Sequence, residues 1–162
     1  MVSRLALVIA LMTGLSSSAF ASTYVLTPVM SWTASEAYAN SLGGHLVVIN
    51  DQAEQDLLVS EFGGTETFWI GLNDLQITGV YQWVTGDPLI YTNWLPGEPN
   101  NFGYEHFVEM NWQQPGKWNN GTDLPPGRGI VELAPEPAAA LSLGLALLAL
   151  IALRRLSLAA AG

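Results

Sequence analysis

Apolar and polar positions along this 162-residue chain change rhythm several times, and each change marks an element. Residues 23–31 open with Tyr24, Val25 and Leu26, bulky residues that favour an extended backbone, and Pro28 closes the run, which predicts a strand passing into a loop. Thr33-Ala34-Ser35-Glu36 then has capping-box spacing, with Ala37, Tyr38 and Leu42 along one helical face and Gly43-Gly44 as a stop. Leu46 to Ile49 is continuously apolar, the pattern of a short buried strand. Asp51-Gln52-Ala53-Glu54 repeats the helix-start signal, with Leu57, Leu58 and Phe62 expected to face inward and Gly63-Gly64 to end the helix. Phe68 to Leu72 predicts a central buried strand, and Tyr81 to Val84 an alternating strand after a Thr78-Gly79 turn. Strand, helix, strand, helix, then strands and loops is an α+β order.

Both ends differ from this body. Residues 1–21 carry Arg4, an apolar run from Leu5 and the small-x-small triplet Ala19-Phe20-Ala21, which together predict a signal peptide cleaved before Ser22. A membrane-anchored N-terminus is the competing reading, and the shortness of the apolar run argues against it. Residues 22–135 hold 13 of the 14 acidic residues and only Lys117 and Arg128 as bases, a formal balance of −11. No basic patch can form to neutralise phosphates, so nucleic acid is excluded as a partner. There is no cysteine, which rules out thiol catalysis, thiolate metal sites and disulfide staples alike. About 110 residues must then be held by packing.

Chemistry concentrates between Trp94 and Asn120. Glu98-Pro99-Asn100, then Glu105, then Trp118-Asn119-Asn120 place carboxylates and amides among prolines and glycines. These are hard oxygen donors, and calcium takes roughly six to eight of them. A cis peptide before Pro99 would turn the carbonyls of Glu98 and Asn100 outward together. The same residues are also ordinary turn formers, so each motif alone could be only a loop.

In that order, behind Trp69-Ile70-Gly71-Leu72, the motifs resemble the carbohydrate-recognition domain of the C-type lectins. The resemblance implies a lectin-like α+β fold over residues 22–133: two helices packed on antiparallel sheets, with a long irregular loop region for calcium and sugar. It implies calcium ligands at Glu98, Asn100, Glu105, Asn119 and Asn120, of which Glu98, Asn100, Glu105 and Asn119 would also meet the sugar. Glu-Pro-Asn implies mannose, glucose or N-acetylglucosamine, whose adjacent equatorial hydroxyls each donate to a Glu and accept from an Asn. Asn120 departs from the family, which has Asp there, so one ligand charge is missing. Where the family carries disulfides, this chain offers Ala39 and Val131 for one and Phe107 and Leu124 for the other. Of the family's second calcium site only Asp74 is retained, beside Thr78 and Asn101, so Asp74 is read as a turn residue.

Other readings stay open beside this one. Alternation over Glu105 to Met110 puts Glu105, Phe107 and Glu109 on one face and His106, Val108 and Met110 on the other. Paired carboxylates could hydrolyse a glycoside, with Glu109 the free candidate, but a calcium-locked carboxylate cannot keep the proton a general acid needs. The domain could instead be a lectin-like protein-interaction module with a degenerate loop. Trp69 and Trp83 are expected in the core, Trp94, Trp112 and Trp118 around the site, and His45 as a turn or core residue. Asn120-Gly121-Thr122 also matches a glycan-acceptor sequon.

Residues 134–162 close the chain with Pro135-Glu136-Pro137, sixteen small or apolar residues at 138–153, and Arg154-Arg155. This resembles the bacterial PEP-CTERM sorting signal. The resemblance implies export, membrane retention through a transmembrane helix at 138–153, and cleavage near Pro-Glu-Pro by an exosortase, leaving the protein at the cell surface or in the extracellular matrix. At 1.5 Å rise the segment would measure about 24 Å, with the arginine pair on the cytoplasmic side. A permanent membrane anchor is the alternative. The domain itself reads as a binder, not an enzyme.

Overall fold

The computed structural model describes residues 22–101 and 104–133. The signal segment and residues 134–162, with Pro135, Glu136, Pro137, Arg154, Arg155 and the 138–153 span, lie outside them. Among the described residues no helix is long and apolar enough to cross a membrane.

Strand β1 (Thr23–Leu26) leads to helix α1 (Trp32–Ser41), β2 (Gly44–Leu46), helix α2 (Gln52–Phe62) and β3 (Phe68–Asn73). Then come β4 (Gln82–Trp83), β5 (Phe107–Met110), β6 (Trp118–Gly121) and β7 (Arg128–Leu133). The strands run in the order β1-β7-β3-β5-β6, with β2 also on β7 and β4 also on β3. The expected α+β architecture with two helices is present, with one difference in pairing. The sheet is not wholly antiparallel, because β3 and β7 run parallel through Phe68–Arg128 and Trp69–Gly129. Strand β1 pairs Thr23 with Leu133 and Leu26 with Ile130, so the two ends of the described domain close on each other.

Strand β3 is buried along its whole length, as its unbroken apolar run requires for a strand covered on both faces. Within it Gly71 is needed for space, because a Cβ there would lie 2.5 Å from the Leu46 carbonyl oxygen. The main core gathers Val47, Ile49, Leu58, Ile70, Leu72, Val108, Met110 and Trp118. A smaller cluster of Trp32, Leu46, Trp69 and Phe107 fills the other side of β5. The alternation read over Glu105 to Met110 therefore holds in β5: Phe107 enters the second cluster, Val108 and Met110 the first.

Helix α1 corrects the sequence reading twice. Its N-cap is Ser31, whose side chain accepts from the Ala34 N–H, and not Thr33. The Thr33 N–H is taken by Asp123 Oδ1 at 2.9 Å, while Glu36 accepts from the Leu46 N–H at 2.8 Å and from the Asn40 side chain. The buried face is Trp32, Ser35 and Ala39, whereas Ala37, Tyr38 and Leu42 are exposed. At Ser35 the face takes a small side chain because the helix presses on β7, where a Cβ at Gly129 would lie 3.3 Å from Ser35 Cβ. Helix α2 keeps its predicted cap: Asp51 accepts from the Glu54 N–H at 2.9 Å, and Glu54 reaches back to the Asn50 N–H. Its inner face is Gln55, Leu58 and part of Phe62. Leu57, expected inside, is half exposed.

Apolar residues occupy the positions where the resemblance implied sulfur. Ala39 and Val131 are both fully buried, on α1 and β7. Leu124 is 66% exposed and takes no part in the core, while Phe107 packs on Trp32 with ring centroids 4.8 Å apart. The second expected pair is therefore not formed.

Candidate functional site

The region from Asn93 to Asn120 is built on one tryptophan. Trp118 is fully buried and meets Trp83, Tyr91 and Trp94 edge-on at 5.7–5.9 Å. Its indole N–H donates to Gln55 Oε1 at 2.7 Å, which explains a buried glutamine on α2. Its backbone N–H donates to the Asn93 carbonyl and its carbonyl accepts from the Leu95 N–H, both at 2.9 Å. The start of the Glu-Pro-Asn loop is thus laced to the strand that carries Asn119 and Asn120. Trp69 and Trp83 are core residues, as expected, and Trp112 stands partly exposed at the cleft.

The loop then folds onto Asn120. The Glu98–Pro99 peptide is cis, as the sequence suggested. The Asn100 N–H donates both to Glu98 Oε2 and to Asn120 Oδ1 at 3.1 Å, and the Asn100 amide donates to Glu98 Oε1 at 3.0 Å. Asn120, fully buried, turns its amide nitrogen the other way, donating to Asn101 Oδ1 at 2.9 Å and to the Glu105 carbonyl at 3.0 Å. Glu98, Asn100, Glu105 and Asn119 line one cleft of about 500 Å³, whereas Asn120 is fully buried, does not line it, and is tied to it through the Asn100 N–H. In the folded domain the sequon asparagine, Asn120, is buried.

Three further residues shape the site: Trp112, expected around it, Glu109, read from the sequence only as a spare carboxylate, and Tyr81, which the sequence reading placed in a strand and not at the site. The Tyr81 hydroxyl donates to Asn101 Oδ1 at 2.9 Å, and burial, helped by the Asp74 charge, holds its phenol above the ordinary range and so keeps the donor proton in place. Glu109 pairs in register with Asn119 and accepts from its amide at 3.1 Å. Burial pushes the Glu109 carboxyl above its ordinary value, against the hydrogen bonds from Asn119 and Thr67. Trp112 forms part of the cleft wall. Alternation in the strand before Trp83 was a usable signal for Tyr81, and position in the loop-rich stretch marked Trp112.

Asp74 does sit in a turn, accepting from the Gly79 N–H at 2.6 Å. Its other oxygen lies 2.7 Å from His106 Nδ1. Both carboxylate oxygens are therefore engaged by protein groups, beside a smaller cleft of about 230 Å³ lined by Thr78, Asn101 and His106. His45 bonds the Leu46 carbonyl at 3.0 Å on strand β2, with no acidic partner at its ring among the described residues.

Among the described residues no three acidic or histidine side chains converge as a metal cluster. The candidate set is of another kind, two carboxylates and three amides, all oxygen-bearing. Such donors fit a hard cation that accepts amide oxygens and exclude one that demands nitrogen or sulfur.

Known proteins agree with this architecture. A family model described as Lectin C-type domain matches residues 29–125. The low affinity immunoglobulin epsilon Fc receptor of Mus musculus is 41% identical over 90 residues, covering 55% of this chain and 26% of that protein. Ladderlectin of Oncorhynchus mykiss is 35% identical over 105 residues, 60% of this chain and 55% of that one. The chain thus spans between a quarter and about half of these relatives. Among solved structures, the mouse scavenger receptor C-type lectin carbohydrate-recognition domain superposes with a TM-score of 0.66 at 26% identity, covering 71% of this chain and 92% of that one. The cow CD23 carbohydrate-recognition domain, solved in the presence of GlcNAc2Man3 oligosaccharide, gives 0.63 at 34% identity, covering 70% and 88%. These relatives are lectins and receptors, binding proteins rather than enzymes, so the glycoside-hydrolase reading of Glu109 is set aside. With its model covering more than half of the sequence, the chain belongs to the C-type lectin domain family.

Proposed function

We propose that residues 22–133 form a calcium-dependent carbohydrate-binding domain of the mannose, glucose and N-acetylglucosamine type. The observation that carries this reading is the convergence of Glu98, Asn100, Glu105 and Asn119 on one cleft, with the buried Asn120 tied to it through the Asn100 N–H. Glu98, Asn100, Glu105, Asn119 and Asn120 would hold the metal, and bound calcium supplies open coordination positions for two neighbouring sugar hydroxyls. Each hydroxyl would donate to Glu98 or Glu105 and accept from Asn100 or Asn119, a donor and acceptor pattern that selects the orientation of the hydroxyl pair. The related cow domain, with its mannose-containing oligosaccharide, supports the same sugar class.

Retention on immobilised mannose in calcium, with elution by chelator, tests the reading. Retention on galactose alone, or retention unchanged by chelator, refutes it. A protein ligand held in chelator by the same loop would favour the interaction module.

The tail extends the proposal. Pro135, Glu136, Pro137, the apolar segment 138–153 and Arg154-Arg155 support an exported bacterial protein, held in the membrane by that segment until an exosortase-type enzyme removes it. The mature form then belongs to the cell surface or extracellular matrix. Intact-mass measurement decides this, since a mature surface form that still contains Arg154 is a permanently anchored protein.

A further inference from the structure

Asn120 is followed by Gly121, and the fold makes no use of that glycine. Gly121 is the last residue of β6, half-buried and paired with Phe107. Its backbone is outside the left-handed region, and a Cβ there would meet nothing closer than Glu109 Oε1 at 3.9 Å. An alanine would therefore fit, and glycine weakens the strand that carries it. What the missing Cβ does is leave the Gly121 nitrogen unshielded beside the Asn120 side chain.

An asparagine next to such a nitrogen can close on it. The Gly121 nitrogen bonds to Asn120 Cγ and gives up its proton, the side-chain nitrogen leaves as ammonia, and a cyclic imide remains. Water then opens the ring. Attack at Cγ frees the Gly121 nitrogen and yields aspartate on an intact backbone. Attack at the main-chain carbonyl of residue 120 yields isoaspartate, with the backbone rerouted through the side chain. Either route takes up a water and releases an ammonia.

The folded domain restrains this reaction. Asn120 Oδ1 accepts from the Asn100 N–H, while its amide nitrogen donates to Asn101 Oδ1 and to the Glu105 carbonyl, so the carboxamide is held toward the loop. Release needs only the loop to let go and the last pair of the β5–β6 ladder to fray. Neither event unfolds the core, because β6 is anchored at its other end by the fully buried Trp118.

We infer that Asn120-Gly121 is a self-modification site, at which slow deamidation converts the amide-tied loop into one with a third carboxylate alongside Glu98 and Glu105. The chemistry stands on Asn120 and Gly121 alone, and its consequence for the metal rests on the calcium reading. The aspartate form carries the added charge that a hard cation rewards. The isoaspartate form lengthens the strand between Asn119 and Gly121 and displaces the Gly121–Phe107 pair.

Prolonged incubation of the full chain in chelator, followed by cleavage after Lys117 and Arg128, tests this. The peptide 118–128 holds two asparagines, Asn119 and Asn120. Mass and fragmentation should show exchange of amide for acid at Asn120, with Asn119, which no glycine follows, unchanged. Gly121→Ala should abolish the exchange, and Asn101→Ala, which removes a restraining bond, should speed it about fivefold. The aspartate form, separated by its extra charge, should bind calcium about tenfold tighter than the parent in calorimetric titration with calcium and then mannose. An unchanged Asn120 in the folded chain, over the time in which the urea-unfolded chain exchanges completely, overturns the inference. Exchange undiminished in Gly121→Ala overturns it as well. Exchange without tighter calcium binding upholds the modification and overturns the place of Asn120 in the calcium reading.

Discussion

Asn120→Asp restores the charge that the family carries, and the hydrogen-bond geometry says what that charge does without metal. Asn120 Oδ1 must face the Asn100 N–H, so its nitrogen faces two oxygens, Asn101 Oδ1 and the Glu105 carbonyl. An aspartate keeps the first contact and turns both others into acceptor against acceptor. Two hydrogen bonds at about 1 kcal/mol each are lost, and a fully buried carboxylate oxygen is left without a donor at a further ~1–3 kcal/mol. The metal-free variant should therefore be about 3–5 kcal/mol less stable than the parent, a large part of the ~5–15 kcal/mol available to a domain of this size. A cation among those oxygens removes the conflict. Calcium affinity should rise at least tenfold, or ~1.4 kcal/mol, through the added charge and through that relief. Urea unfolding in chelator and in saturating calcium measures both effects. N120D should be much weaker than the parent in chelator, with the gap narrowing or reversing in calcium. Equal stability of the two proteins in chelator would refute the amide orientation, and equal calcium affinity would place Asn120 outside the coordination shell.

Trp118→Ala should cost about 3–5 kcal/mol in urea unfolding, since it empties the aromatic cluster and strips Gln55 of its donor, and calcium and sugar affinity should fall with it. Asp51→Ala removes the N-cap of α2 and should cost about 1 kcal/mol while leaving sugar binding unchanged in the same titration. Glu109→Gln should raise the melting temperature at pH 7 by a few degrees. Burial raises the folded-state pKa of Glu109 above its unfolded value, so its favourable contribution is complete below the unfolded pKa and is lost as pH rises through the folded one. The gain from Gln should therefore disappear near pH 4, and a gain independent of pH would refute the assignment.

How much could be read beforehand depended on whether the deciding contacts were local. The α2 cap at Asp51 and Glu54 is formed within four residues, and it stands as predicted. Strand β3 announces itself by an apolar run that only a doubly covered strand tolerates. Helix α1 failed on both counts because distant partners intervened: Asp123 took the Thr33 N–H, the Leu46 N–H at the end of β2 took Glu36, and the tight approach at Gly129 selected a small residue at Ser35. At the site, the motif spacing named Glu98, Asn100, Glu105 and Asn119, which share one cleft. The contacts of Tyr81 with Asn101 and of Glu109 with Asn119 were not legible because they depend on loop closure and strand pairing, which bring together residues 20 and 10 positions apart.

Two absences in this chain, the cysteines and the third carboxylate, bear on one another. A domain without disulfides leaves its unfolded chain unrestricted, which forgoes roughly 2–4 kcal/mol for each missing bridge. Three carboxylates facing each other in a metal-free loop would add self-repulsion to that deficit, making the fold depend on occupancy. The amide at Asn120 removes the second burden: it bonds Asn100 through its oxygen and Asn101 and Glu105 through its nitrogen, so the loop is tied together before any cation arrives. The same bonds must be partly given up, or re-aimed, when a metal draws on those oxygens, and that lowers affinity beyond the missing charge. If the loop holds calcium as proposed, weak metal binding and a self-supporting loop would be two results of one residue. Such a site would fill where calcium stands at roughly 10⁻⁴ to 10⁻³ M, as extracellular modules do, and the domain would keep its fold where calcium is scarce.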